Sequence, residues 1–399
     1  MSQSLPTLPG RPVILQVIPA LDAGGAERTT LDMAAAIVAA GGRALVASRG
    51  GRKQKELDVC GAEHITLPVH SKNPLTMLAN VARLRRLIRT EAVALVHARS
   101  RAPAWSALVA AGREGVPFLT TYHSQVHEGP KSKVLYNSVM VRGQAVIANS
   151  AYTAERVHRI HQVPWARIET IPRGIDTAFF DPARLDPESV AALRHSFAGE
   201  MVGDGPIFLL PARLTRWKGQ LVAIEAARHL VSAGETRFRL VLVGDAQGRD
   251  AYVEELKAAI AAAGLTSNVV LHDSPADFAL AYAAADIVLA PSVEPEPFGR
   301  VAVEAQAMER PVIVSDAGGQ RETVTDEAAD PGAGTGLKVP PGDAEALCRA
   351  MRHLMAQGQE VRRAIGARGR ARALERYTVE AMCGATLQLY RRLLALSDR

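Results

Sequence analysis

An α/β fold with two largely parallel sheets is the architecture this sequence predicts, and three observations predict it. Short apolar runs of strand length, among them Val13 to Pro19, Ala92 to Val96, Ile207 to Leu210 and Ile287 to Ala290, alternate with helix-patterned segments along the chain. At 399 residues the chain is too long for one ordinary domain and suits two. An Asp- and Pro-rich stretch without periodicity, DTAFFDPARLDPE at 176–188, reads as a linker between them.

Composition narrows the classes. Hydrophobic residues make up 48% and charged residues 22%, an ordinary balance for a globular chain. No apolar run reaches the roughly 18 residues a membrane helix needs. The early PVILQVIPAL is short, has no positive cluster before it and runs into a Gly-Gly turn, so it reads as a strand rather than a signal peptide. Cys60, Cys348 and Cys383 lie far apart in no metal or redox spacing, which makes a reducing, cytoplasmic location the default. Residues 1–180 carry 22 Lys+Arg against 12 Asp+Glu, a balance of +10, while the remainder carries 25 against 29. A basic first half suits an anionic partner, namely lipid surface, phosphorylated glycan or nucleic acid. With 5% aromatics and no alternation of aromatic with basic residues, nucleic acid is the weakest of these.

The first run leads into LDAGGAERTTLDMAAAIVAAGG. There Gly24 and Gly25 are expected to end the strand, and a helix follows with Leu31, Ala35 and Val38 on one face. Such glycines either let a ligand lie against bare backbone or only make a tight turn with close packing; both readings stand. Neither this loop nor VGDAQG at Val243 to Gly248 has the G-x-G-x-x-G spacing of a dinucleotide fingerprint, which argues against a dehydrogenase. Asn73-Pro74 predicts the N-cap and first residue of a helix running to about Arg89. Its Arg83, Arg85, Arg86 and Arg89 form either a solvated face or a strip for anionic lipid. Arg99 and Arg101 follow the next strand, at a carboxyl end better placed for a ligand. His123 ends another β-branched strand and is expected to project toward a cleft rather than into the core. His127 reads as a loop residue, and Lys131 and Lys133 extend the basic character toward an acceptor. Ser150 is expected to cap AYTAERVHRIH, whose His158 and His161 lack the carboxylate neighbour a metal site would need.

In the second half, the strand Ile207 to Leu210 leads to Arg213 and Lys218, which straddle a turn opening the helix Gly219 to Val231. Cations at that end oppose the helix dipole, and an anion between them would resolve the conflict. Asp245 ends the strand Leu240 to Gly244, an unspecific place for a base or ribose contact. Asn268 to Leu271 and Ile287 to Ala290 are further strands before EPEPFGRVAVEAQAMERPVIV, residues 294–314. This stretch reads as loop, helix and strand, with Val301, Ala305 and Met308 on one helix face. The helix start at Gly299 offers backbone N–H groups and a positive dipole end to a phosphate. Glu296 in the loop and Glu304 in the helix can each accept hydrogen bonds from vicinal hydroxyls, one from a ribose and the other from a sugar ring. Gly318 and Gly319 form a second glycine pair in VSDAGGQRETV, and three helices, Glu345 to Gln357, Val361 to Arg376 and Val379 to Leu393, end the chain.

Glu296, seven residues and Glu304, with Pro297-Phe298-Gly299 between, resemble the E-x7-E signature of retaining glycosyltransferases of family 4. The resemblance extends over most of the chain through GGAE, IPRGID and the Arg213–Lys218 pair. It implies the GT-B architecture: a Rossmann-like acceptor-binding domain at 1–178, a Rossmann-like nucleotide-sugar domain at 179–376 across a cleft, and a helix at 377–399 returning to the first domain. It further implies that Arg213 and Lys218 clamp the donor diphosphate, that Glu296 orients the sugar and that Glu304 holds the ribose. Phe298, Gly299, Arg300, Gly318 and Gly319 would complete the donor side, His123 would line the reacting sugar, and Gly24, Gly25 and Glu27 would form the acceptor-side loop. Arg173 stands where the family usually has asparagine, which leaves the role of that position open.

The expected activity is therefore a retaining hexosyl transfer from a UDP- or GDP-sugar to a hydroxyl of a glycan or lipid-linked acceptor, without cofactor. The sequence contains no Asp-x-Asp, so the transfer is expected to need no metal. The set of motifs looks like those of bacterial lipopolysaccharide-core or exopolysaccharide enzymes, which implies a cytoplasmic enzyme in peripheral contact with the anionic inner face of the membrane, without insertion. A nucleotide-sugar epimerase of the same fold, or a glycan-binding protein without turnover, are the rival readings.

Overall fold

The computed structural model describes residues 5–22, 24–123, 129–199 and 205–397. The chain divides into two compact units, residues 1–174 with 379–399, and residues 175–378. His127 lies outside the described residues.

The first unit is a seven-stranded parallel sheet. In chain order its strands are β1 (Val13–Val17), β2 (Arg43–Ser48), β3 (Glu63–Thr66), β4 (Val93–Ala98), β5 (Phe118–Tyr122), β6 (Ala145–Ala148) and β7 (Ile168–Thr170). The spatial order β3-β2-β1-β4-β5-β6-β7 reverses direction between β1 and β4. Strand residues alternate between two covered faces, as a doubly covered parallel sheet requires. Ile14, Val46, Leu95 and Leu119 face one core, and Leu15, Val17, Leu45 and Val96 the other. The C-terminal helix Val379–Ser397 belongs to this unit, where Met382, Leu387, Tyr390 and Leu393 enter the first of those cores.

The second unit is a six-stranded parallel sheet of β8 (Ile207–Pro211), β9 (Arg239–Val243), β10 (Val269–His272), β11 (Ile287–Ala290), β12 (Val312–Ser315) and β13 (Gly336–Val339). Its order, β10-β9-β8-β11-β12-β13, repeats the same reversal between β8 and β11. Phe208, Leu240 and Leu289 pack on one face and Leu209, Val241 and Val288 on the other. Both units are thus Rossmann-like. Among the described residues no helix is long and apolar enough to cross a membrane.

Several local expectations change. Gly24 and Gly25 do not end β1, which stops at Val17; Gly25 is the first residue of the helix Gly25–Ala39. That helix buries Leu31, Met33, Ala34 and Ile37, while Ala35 and Val38 are half-buried, because it packs against both the sheet and the C-terminal helix. The stretch 176–188 is no free linker. Phe180 is buried in the second unit's core, Asp181 pairs with Arg370 at 2.9 Å, and Asp186 caps the helix Pro187–Ala198. Asn73 caps Pro74–Thr90 and Ser150 caps Ala151–His161 through their side chains, as expected. His158 stacks on Trp165 and bonds the Val163 carbonyl, a packing role.

Candidate active site

In open parallel sheets, ligands sit beyond the carboxyl ends of the strands where the strand order reverses. Each unit presents charged side chains there.

In the second unit, β8 runs into Arg213 and a short 3-10 turn, Arg216–Lys218, before the helix Gln220–Ser232. Gly219 between them has φ +81°, and a Cβ there would lie 2.0 Å from the Pro291 carbonyl oxygen, so only glycine lets the turn pass β11's exit. The turn delivers Lys218 Nζ to Glu296 Oε1 at 2.7 Å, and Ser292 Oγ donates to the same oxygen at 2.6 Å. Both partners of this ion pair are only 12% exposed. The conflict between Lys218 and the helix dipole is thus met within the chain by the Glu296 carboxylate, and no exogenous anion is required for it. Glu296 Oε2 takes no bond from the described residues and remains an acceptor.

The loop carrying Glu296 is fixed through its backbone. Gly319 N–H donates to the Glu296 carbonyl at 2.6 Å, and Gly318 bridges the same residue. Gly318 has φ +67°, with Glu296 backbone atoms where its Cβ would be. The two glycines therefore hold the Glu296 loop in place. Gly299 caps the helix Arg300–Ala307 at φ +95° without any side-chain cap on its first N–H groups. A Cβ at Gly299 would lie 2.3 Å from Gln320 Cβ, so this glycine answers to packing as well as to any ligand. Phe298 is buried and meets Tyr377 edge-to-face at 5.7 Å between centroids, which leaves its side chain in the core and only its backbone to the loop.

One turn into that helix, Glu304 is buried and engaged on both oxygens. Arg300 Nη2 donates to Oε1 at 2.7 Å, and Tyr282 OH donates to Oε2 at 2.8 Å. Burial, and then the neighbouring Glu304 carboxylate, hold the Tyr282 hydroxyl well above its usual range, so it stays a donor. Arg213 is exposed, forms no ion pair with the described residues and is joined to neither cluster; its carbonyl accepts from Gln220 Nε2.

In the first unit, the residues after β1, β4 and β5 enclose a cavity of about 220 Å³ whose lining includes Glu27, Arg99, Arg101, Thr121 and His123. His123 sits where expected, just past β5, and both of its ring nitrogens are buried with no hydrogen-bond partner among the described residues. Burial, then the cations Arg99 and Arg173 and the ring of His97, push its pKa well below the usual histidine range. Glu27 reaches back over Gly24, occupying the place a Cβ would take there. Arg173 lies against Gly25: a Cβ on that glycine would be 2.5 Å from its guanidinium. The GGAE loop and the IPRGID segment are thus in contact. Gly25 is closed off by a side chain of the same unit.

Ser292, Tyr282 and Gln320 escaped the sequence reading. Ser292 lies four residues before Glu296, a spacing without a recognised meaning, and Tyr282 belongs to an alanine-rich helix that reads only as core.

Two family profiles match: Glycosyltransferase Family 4 over residues 23–179, and Glycosyl transferases group 1 over residues 194–372. The D-inositol 3-phosphate glycosyltransferase of Xylanimonas cellulosilytica is 31% identical over 71% of this chain and 68% of its own. The chain is a family 4 glycosyltransferase. A second D-inositol 3-phosphate glycosyltransferase, from Kineococcus radiotolerans, is 30% identical, and the enzyme spans 62% of its length. A solved glycosyltransferase from Rickettsia africae superposes with a TM-score of 0.86 at 33% identity, covering 96% of this chain and 99% of that one. Anabaena HepE in complex with UDP-glucose superposes with a TM-score of 0.79 at 24% identity, covering 95% and 99%, and shows that this glycosyltransferase shares its GT-B fold.

Proposed function

We propose that the enzyme transfers a sugar, with retention, from a nucleoside diphosphate sugar held by the second unit to an acceptor hydroxyl held by the first. The observation that carries this reading is the pair of bonded carboxylates at the second unit's strand-order reversal. Glu296 is oriented by Lys218 and Ser292, and Glu304 by Arg300 and Tyr282. Fixed carboxylates with spare lone pairs suit vicinal hydroxyls, Glu296 those of the transferred sugar and Glu304 those of the ribose. The likeness to a protein bound to UDP-glucose supports a UDP-sugar as donor.

In the reaction the bond from the anomeric carbon to the phosphate oxygen breaks, and its electron pair leaves with the diphosphate. Lys218, Arg213 and the N–H groups that begin the helix at Arg300 stabilise that growing charge, and preorganised stabilisation of this kind is commonly the largest catalytic contribution. The acceptor oxygen attacks from the same face, and its proton passes to the departing phosphate. The cations supply the charge a metal would otherwise bring, so transfer proceeds without one; loss of activity in a chelator, restored by magnesium or manganese, would oppose this. The acceptor is a glycan or lipid-linked hydroxyl at the cytoplasmic face of the membrane, in envelope polysaccharide synthesis. Binding to anionic liposomes that weakens with salt tests that placement.

A thermal-shift panel of nucleotide sugars tests the donor assignment. A ligand present at 100 times its dissociation constant adds about 2.7 kcal/mol of stability. The true donor raises the melting temperature of the wild type and much less that of Lys218→Met. If no nucleotide sugar raises it, the reading is wrong.

A further inference from the structure

We propose that Arg372, on the helix Gly358–Arg376, is a positioning residue for the transfer: it holds the far end of the single helical turn Gln320–Thr323, whose near end fixes the loop of Glu296. The proposal rests on the donor reading of Glu296 and adds to it a group that lies outside the Lys218–Glu296 ion pair.

The turn Gln320–Thr323 follows β12 and is four residues long. One turn of helix is marginal by itself, because nucleation fixes several dihedrals for each hydrogen bond gained. Its last carbonyls also have no partner inside the helix. Arg372 takes two of them. Its Nη2 donates to the Glu322 carbonyl at 2.8 Å and its Nε to the Thr323 carbonyl at 3.3 Å. Tyr377 OH is a second donor to Glu322, at 3.2 Å, and Gln306 Nε2 a second donor to Thr323, at 3.0 Å. Among the described residues the hydrogen bonds of Arg372 go to these backbone carbonyls and none goes to a carboxylate. The cation therefore serves the end of the helix where positive charge is favoured.

A grip on this end reaches the other because the turn is closed between them. Glu322 N–H donates to the Gly319 carbonyl at 3.1 Å, and Thr323 Oγ1 to the Gln320 carbonyl at 2.7 Å. Gly319 N–H in turn donates to the Glu296 carbonyl, and Gln320 stands against Gly299. Three hydrogen bonds in series thus link Arg372 to Glu296, through Glu322 and Gly319. Loss of Arg372 leaves Lys218 and Ser292 on the Glu296 carboxylate and loosens the backbone that carries it. A displacement of about 1 Å in a group facing the reacting centre can lower turnover roughly a hundredfold.

The test measures turnover of the nucleotide sugar selected by the thermal-shift panel, and calorimetric binding of the matching free nucleotide, UDP or GDP. Arg372→Met should lower kcat about tenfold to a hundredfold. The KM for the donor and the affinity for the free nucleotide should not change, whereas a general loss of structure would weaken both. Arg372→Lys keeps the charge and a donor, should recover part of kcat, and serves where the methionine variant does not fold. Tyr377→Phe removes the second donor to Glu322 and keeps the ring against Phe298, so it should show a smaller loss of the same kind. The deciding arm combines Arg372→Met with Glu296→Ala. If Arg372 acts through Glu296, the double variant turns over within about twofold of Glu296→Ala alone. Losses that multiply, or wild-type kcat in both Arg372 variants, overturn the proposal. Wild-type turnover in Glu296→Ala alone instead refutes the donor reading of Glu296, and the positioning role falls with it.

Discussion

The two units place charge at equivalent points of their sheets and treat it in opposite ways. At the β8/β11 reversal two cations are matched inside the chain, Lys218 by Glu296 and Arg300 by Glu304, while Arg213 stays exposed to solvent. At the β1/β4 reversal Arg99 is buried with no carboxylate paired to it among the described residues, and the ring nitrogens of His123 are buried with no hydrogen-bond partner among them. A matched cluster holds its geometry before any ligand arrives, which suits a charge that develops only during reaction. An unmatched one is costly to hold buried.

The comparison breaks most sharply at Glu296. Glu296→Ala removes the acceptor shared by Lys218 and Ser292 and leaves an ammonium group 12% exposed with no counter-charge. Transfer should fall on the order of 10²- to 10³-fold, in line with loss of a transition-state contact. Stability should fall by about 3 kcal/mol, because an uncompensated charge remains buried. The double variant Lys218→Met with Glu296→Leu separates the two effects: it should recover most of the stability and none of the activity. A double variant that transfers sugar would show the pair to be structural only.

Next comes Gly299→Ala. The added carbon would meet Gln320 Cβ at 2.3 Å in a backbone with φ +95°, so crowding and backbone strain act together. A loss of roughly 2–3 kcal/mol in urea unfolding is expected. A value under about 1 kcal/mol would mean the loop relaxes readily, and with it the rigidity ascribed to the matched site.

What the sequence could and could not reveal follows the same division. Alternating apolar runs and capping residues such as Asn73 and Ser150 announce strands and helices, because these depend on local periodicity and local hydrogen bonds. The loop of Glu296 was legible because prolines, a glycine and two glutamates lie within one short stretch. Its supports were not. Tyr282 reaches Glu304 across 22 residues and Gly319 reaches the Glu296 carbonyl across 23, contacts that no spacing encodes. Gly25 shows the converse failure. Its bare backbone suggested a place for a ligand, yet Arg173, distant in sequence, lies against it.

Tyr282→Phe is a smaller perturbation of the matched site. It removes one donor from Glu304 and leaves Arg300 in place. A stability loss of about 1–1.5 kcal/mol is expected, together with a higher KM for the donor if Glu304 holds the ribose. An unchanged KM would detach Glu304 from the donor.

The smallest effect concerns the unmatched site and is read through pH. Burial holds both His123 and His97 well below the usual histidine range, and the charges of Arg99 and, for His123, Arg173 act in the same direction. An unfolded histidine titrates near 6.5. As pH falls through that value the unfolded chain takes up protons that the folded chain refuses, so stability is lost on acidification. Each histidine should contribute about 1 kcal/mol of loss between pH 7 and pH 5.5. His123→Gln should remove its share and flatten the profile, with the His97 share remaining. A His123→Gln profile that follows the wild type at every pH would mean the imidazole titrates as an exposed one, and the unmatched character of the first unit's site would then rest on Arg99 alone.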